Sequence, residues 1–291
     1  MAAGATAIKR RIRSVTSTRQ ITKAMQLVAA SKLRAAVGAA QNAARYQQQV
    51  GQVLTEASLT DDWKLHPIAR PANPDAPAVI VVFASDRGLA GAYLSRIESG
   101  LRHTVQQMTK QDKEVQIEAV GQQAQQMASR IKEIAGVQLQ PGLSISPDMR
   151  AVRSLAAELL QRYLDGELSS VTVITTQFKS SLQQQVTVSQ LVPLATNNIE
   201  SQNTKTGSLT LEPNPDQAIT AVASSWAQAV LLDAATNAVA SEHAMRMLAM
   251  QNATDNASEL IDELTLAYNT ARQSAITQEL AEISGGVAAL T

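Results

Sequence analysis

Residues 215–286 read PDQAITAVASSWAQAVLLDAATNAVASEHAMRMLAMQNATDNASELIDELTLAYNTARQSAITQELAEISGG. From Asp216 to Ser284 this stretch holds neither Pro nor Gly, and it is rich in Ala, Leu, Met and Gln, all good helix formers. Asn214 is a capping residue, Pro215 suits the first helical position, and Gln217 stands where a capping box places it. Gly285 and Gly286 read as the stop. At 1.5 Å per residue an unbroken helix of this length is about 100 Å long, more than any compact core requires. Met250, Ala253, Ala257, Leu260, Leu264, Ala267, Ala271 and Ser274 alternate steps of three and four, the spacing of a coiled-coil seam.

A partner for that helix lies at the other end of the chain. All nine prolines fall between Pro67 and Pro215, so the first 66 residues also lack the strongest helix breaker. Ile8, Ile12 and Val15 form one apolar stripe there, and Ile21, Met25 and Val28 form another, offset by one residue. Residues 1–55 hold nine Lys or Arg and no acid, whereas residues 216–291 hold nine acids and only Arg246 and Arg272 as bases. Apolar seams and opposite charge predict that the two flanks pack as an antiparallel pair with their charges matched. The acid-free, Arg-, Ser- and Thr-rich opening resembles a mitochondrial presequence in composition. The apolar period already begins at Ile8, so the segment is read as the start of the first helix.

Between the flanks the pattern changes. Ala78–Ala84 is a Val- and Ile-rich run of the buried-strand kind. Residues 87–109 are amphipathic, 114–120 alternate, 122–134 and 147–164 read as helices, and 170–178 and 184–192 as strands. Alternating strands and helices predict a Rossmann-like α/β domain with a largely parallel sheet and a hairpin at one edge. The expected organisation is a coiled-coil helix over 1–60, a linker over 61–77, the α/β domain over 78–195, a loop or hairpin over 196–214, and the second coiled-coil helix over 215–291.

Composition excludes several chemistries. The chain has no Cys, so disulfides, Cys-ligated zinc, iron–sulfur clusters and thiol catalysis are ruled out. The longest apolar run is about seven residues, short of the roughly 20 that span a bilayer, so any membrane link runs through a partner. His66, His103 and His243 lie on separate elements without metal-ligand spacing. Asp86-Arg87-Gly88-Leu89-Ala90-Gly91 follows the first strand, where phosphate loops sit, but it matches neither GxGxxG nor GxxxxGK[ST]. It reads as a tight strand-to-helix turn. Neither a metal nor a nucleotide nor any other cofactor is expected. The basic first helix leaves a second reading open, a coiled-coil scaffold or nucleic-acid-binding protein with an α/β head. Against it, aromatics make up only 3% of the chain and offer no stacking platform.

Three stretches are diagnostic in their own right. Residues 12–33, IRSVTSTRQITKAMQLVAASKL, resemble the N-terminal helix of the gamma subunits of F-type ATP synthases. Ser85 to Leu89 with Gly91 resembles that family's second signature, with Ala90-Gly91-Ala92 in place of the usual Cys-Gly-Gly. Residues 245–290 resemble its third, through Asn252-Ala253-Thr254, Leu266-Ala267-Tyr268-Asn269, Arg272-Gln273 and Ile276-Thr277-Gln278-Glu279. The tail reads Gly286-Val287-Ala288-Ala289-Leu290 where relatives usually carry an acid, and the regulatory cysteine insert of chloroplast members is missing.

The resemblance implies a non-catalytic central-stalk rotor of the bacterial type. It implies contact with a ring of alpha and beta subunits, with the epsilon subunit and with the membrane c-ring. No nucleic acid and no direct membrane insertion are implied. The expected location is peripheral, on the cytoplasmic face of the inner or plasma membrane, or the stromal side of a thylakoid. Motif matching assigns Lys23, Lys32 and Arg34, with Met25 beside them, to an acidic loop of the beta subunits. Arg272, Gln273 and Thr277 are assigned to polar contacts with the catalytic subunits, and Glu212 to the foot near the c-ring and epsilon.

Overall fold

The computed structural model describes residues 2–70, 73–135, 138–139, 149–194, 211–212 and 214–288. In chain order it contains α1 (Ala2–Ser58), α2 (Asp61–Leu65), a 3-10 turn (Pro67–Ala69), β1 (Ala78–Phe83), α3 (Tyr93–Thr109) and β2 (Val115–Val120). There follow α4 (Gln122–Ala135), β3 (Gln138–Leu139), α5 (Met149–Leu164), β4 (Ser170–Phe178), β5 (Gln184–Val192) and α6 (Pro215–Ala288). The chain divides into two compact units. One comprises Met1–Ala30 with Arg246–Thr291, and the other Ser31–Met245.

Both flanks are single helices, as their freedom from proline predicted. The Asn214 Oδ1 accepts the Asp216 N–H at 2.9 Å and so caps α6. The glycine stop is corrected: α6 runs through Gly285 and Gly286 to Ala288. Glycine costs about 1 kcal/mol in a helix but does not forbid one, and without a proline behind it the helix runs on.

In the Ser31–Met245 unit the sheet order is β3-β2-β1-β4-β5, parallel except for the antiparallel β4–β5 edge. This is the predicted parallel sheet with an edge hairpin. Alternate residues of β1 serve two cores. Val79, Val81 and Phe83 face a core with α5, the end of α1 and the start of α6, while Ile80 and Val82 face one with α3 and α4. By length and composition α6 is long and apolar enough to cross a membrane. Much of its apolar surface is instead committed to the first of these cores, where Val230, Leu231, Ala234, Ala235 and Ala238 are buried. His66 ties the connection after α2 to the start of α6. Its Nδ1 accepts the Ile68 N–H, which leaves the proton on Nε2, 3.1 Å from Thr220 Oγ1 and 3.3 Å from Asp216 Oδ1.

The turn after β1 explains its own sequence. The helix expected from Arg87 begins only at Tyr93, because residues 84–92 are occupied in joining two strand ends. Asp86 Oδ1 accepts the Gln122 N–H at 3.1 Å and Ser85 O accepts the Gln123 N–H at 2.9 Å, so the turn caps α4. The first backbone N–H groups of α4 are thereby held by a carboxylate and a carbonyl. Gly121 makes the approach possible. Its φ is +106°, and a Cβ there would lie 2.0 Å from Ala84 O.

In the unit of Met1–Ala30 with Arg246–Thr291, a line of less exposed positions on α1 runs through Ala5, Ile8, Ile12, Val15, Arg19, Thr22, Gln26 and Ala29, spaced by three and four, with Thr16, Met25 and Ala30 half-buried beside it. On α6 the matching line runs through Met250, Thr254, Ala257, Ile261, Leu264, Tyr268, Ala271 and Ala275, with Ala253 and Ser258 half-buried beside it. Thr22 Oγ1 and Thr254 Oγ1, both buried, lie 2.8 Å apart across the pair. Heptads counted outward from them set Val15 opposite Ile261, Ile12 opposite Leu264 and Ile8 opposite Tyr268. Two expectations are corrected. Half of the predicted α6 seam, Ala253, Leu260, Ala267 and Ser274, lies one residue off the observed line, and of the second α1 stripe Ile21 and Val28 face outward while Met25 is half-buried. A purely apolar reading passed over threonine, which packs in a seam because its hydroxyl bonds its own helix. Here Thr254 Oγ1 lies 2.8 Å from Met250 O.

Candidate partner-contact surface

The side chains assigned to partner contacts stand on α1 and α6, except Glu212, which lies in the segment before α6. Gln273 and Thr277 stand one turn apart on one face of α6, with Arg272 turned about 100° from Gln273. All three are exposed. Lys23 is exposed, its Nζ 3.3 Å from Gln26 Oε1, and Met25 is half-buried. Lys23 sits beside Thr22 and is therefore level with Thr254. Arg272 stands 18 residues further along α6, about 27 Å away. The structure thus separates two contact levels on this unit and does not gather one site. Lys32, Arg34 and Glu212 belong to the other unit and are likewise exposed.

Apolar side chains surround these polar ones on the outer surface. Leu266 and Leu280 are 70% and 62% exposed, and each lies one heptad from Gln273 on the same outer line. Ile276 and Ile283 are exposed beside them, and Ile21, Leu27 and Val28 flank Lys23 in the same way. Scattered exposed hydrophobics are ordinary, but a long surface of Leu and Ile rimmed by polar groups marks a protein contact. The signal that finds them is a large apolar residue at a position the heptad assigns to solvent.

The predicted charge matching between the flanks is not realised. Among the described residues no ion pair joins α1 to α6. The positions of α6 that flank its seam carry Gln251, Ser258 and Thr265 on one side and Ala253, Leu260 and Ala267 on the other. Asp255, Glu259, Asp262 and Glu263 occupy outer positions, turned away from α1. Among the described residues no group of three or more His, Cys, Asp or Glu is placed to hold a metal.

A family model described as ATP synthase matches residues 4–290. The ATP synthase gamma chain of Moorella thermoacetica is 35% identical over 283 residues, covering 97% of this chain and 98% of that one. The chain belongs to the ATP synthase gamma family. The gamma chain of Symbiobacterium thermophilum is 35% identical over 291 residues, 100% of this chain and 99% of its own. Solved structures share the fold. A chain of the Tetrahymena thermophila mitochondrial ATP synthase central stalk and c-ring has a TM-score of 0.60 at 23% identity, covering 80% of this chain and 99% of that one. A chain of the Euglena gracilis mitochondrial ATP synthase, from a structure with its F1 and c-ring, has a TM-score of 0.64 at 15% identity, covering 100% and 95%. Gamma-family membership over the full length displaces the scaffold and nucleic-acid reading. As a gamma chain this protein belongs to a membrane-associated complex.

Proposed function

We propose that this chain is the central shaft of a proton-driven ATP synthase and catalyses nothing itself. The paired ends of α1 and α6 turn inside a ring of alpha and beta subunits where nucleotide is bound and converted. The α/β unit, with the epsilon subunit, joins the shaft to the c-ring on the cytoplasmic face of the membrane. Partners that bind different faces of one rod with different affinity are held in different conformations, and rotation exchanges those states. The observation that carries this reading is the outer surface of the helical pair, where Leu266, Ile276, Leu280 and Ile283 interleave with Arg272, Gln273 and Thr277, all exposed. Lys23, Met25, Lys32 and Arg34 fit contacts to an acidic loop of the ring, and Glu212 fits the foot.

The test is to replace Arg272 and Gln273 with Ala together and to measure ATP synthesis in vesicles holding the assembled complex. The expected result is intact assembly with synthesis lowered several-fold, the scale of one or two lost polar contacts. Unchanged synthesis in a normally assembled complex overturns the role given to these two residues.

A further inference from the structure

β4 runs past its neighbour in the sheet. β1 pairs with it only as far as Val82 and Ile174, so residues 175–178 extend beyond the last β1 partner. α6 crosses there, and hydrogen bonds join the two. Thr175 Oγ1 donates to Ala234 O at 2.8 Å, Ser241 Oγ donates to Thr176 O at 3.0 Å, and Asn237 Oδ1 accepts the Phe178 N–H at 3.2 Å. From α3, Tyr93 Oη donates to Ala238 O at 3.2 Å. Ala234, Asn237, Ala238 and Ser241 are all buried, and their spacing of three, one and three sets them on one face of α6 within about two turns. Alanine at 234, 235 and 238 lets the helix backbone come close enough for its carbonyls to be reached.

α1 is attached differently. Its residues 31–58 belong to the same unit, and Leu54 and Ala57 are buried in the core that α6 shares. Among the described residues, however, no hydrogen bond or ion pair ties 31–58 to the sheet or to α6. The hydroxyls of Thr55 and Ser58 both bond carbonyls of α1 itself. The difference matters under torsion. Burial of apolar surface has no preferred direction, so a helix held only by packing resists separation more than it resists sliding. A hydrogen bond fixes direction as well, weakening steeply as its donor angle falls below about 120°. Four of them along one helix face oppose sliding and rolling too.

We infer that the α/β unit is coupled to the rod through α6, by the hydrogen-bonded joint at residues 234–241, and that α1 is carried along by packing alone. This rests on the rotor reading. Torque in the α/β unit passes from the end of β4 and the start of α3 into α6, which continues as one helix to Ala288. Tyr93, Thr175 and Ser241 are then positioning residues for energy coupling.

The experiment reads the stiffness of that joint in the assembled complex. The catalytic ring is fixed to a surface, and a bead is attached to the α/β unit through Leu182→Cys, an exposed position in the β4–β5 turn. The spread of bead angle is recorded while the motor pauses between steps. Tyr93→Phe, Thr175→Val and Ser241→Ala are combined in one variant. They remove hydroxyls and little else, and Ala234 O and Ala238 O keep the N–H groups of their own helix, so neither helix carbonyl is orphaned. The expected result is normal assembly with the variance of the angle raised about twofold or more, since three of the four bonds are gone. Leu54→Val, which thins the packing of α1 on the same core, should lower thermal stability and leave the variance unchanged. An unchanged variance in the triple variant, or an equal rise with Leu54→Val, overturns the joint. Should the triple variant fail to assemble, Thr175→Val with Ser241→Ala is read by the same criterion. An unaltered chain whose bead does not turn when ATP is added would instead sink the rotor reading, and so the two failures are distinguishable.

Discussion

Glu118 lies on β2 with its side chain on the sheet face covered by α5, and only 7% of its surface is exposed. Arg162 gives its Nη2 to Gln116 Oε1 at 2.9 Å. Burial pushes the Glu118 carboxyl up from 4.5 to about 7, Glu158 adds to the rise, and Arg162 opposes it. The folded chain therefore holds this proton more tightly than the unfolded one. Below pH 4.5 both states keep it, and the stability it confers is fully present. Between pH 4.5 and about 7 the unfolded chain sheds it first, and stability falls as pH rises. Glu118→Gln should raise the unfolding free energy at pH 8 by about 2 kcal/mol and leave it nearly unchanged at pH 4. Urea unfolding at the two values checks this. Equal effects at both would mean that Glu118 is solvated in the fold.

At the scale of elements, two glycines inside α1 make a controlled comparison. A Cβ at Gly38 meets nothing within 4 Å, whereas one at Gly51 lies 3.1 Å from the Trp226 ring of α6. Gly38→Ala should stabilise by about 1 kcal/mol through helix propensity alone. Gly51→Ala should gain less or lose, since the indole must shift. Thermal unfolding of the two variants decides, and an equal gain would mean that the indole gives way freely.

The elements themselves were largely legible in the sequence. Strands 170–178 and 184–192 lie where the sequence predicts them. The start of α3 was misplaced at Arg87 because the need for Asp86 to cap α4, 36 residues away, is not a local signal. The short β3 and α2 were missed for a similar reason: two and five residues carry too little period to detect. The seam of α6 was half right because two lines of small and apolar residues, one position apart, share Met250, Ala257, Leu264 and Ala271. Only the partner helix, by presenting Thr22, chooses between them. For the contact surface, the polar residues came from motif resemblance, while the exposed Leu and Ile around them needed the heptad phase that the structure supplies.

For the whole molecule, one consequence of sequence becomes a tool. The chain contains no Cys, so a single introduced thiol is a unique handle. Leu182, 76% exposed in the β4–β5 turn of the α/β unit, is a place to put it without touching a core. With the catalytic ring fixed to a surface and a bead attached to the Leu182→Cys chain, ATP hydrolysis should turn the bead in one direction, in steps of about 120° for a ring of three catalytic sites. ATP hydrolysed at the normal rate while the bound chain and its bead stand still would contradict the account.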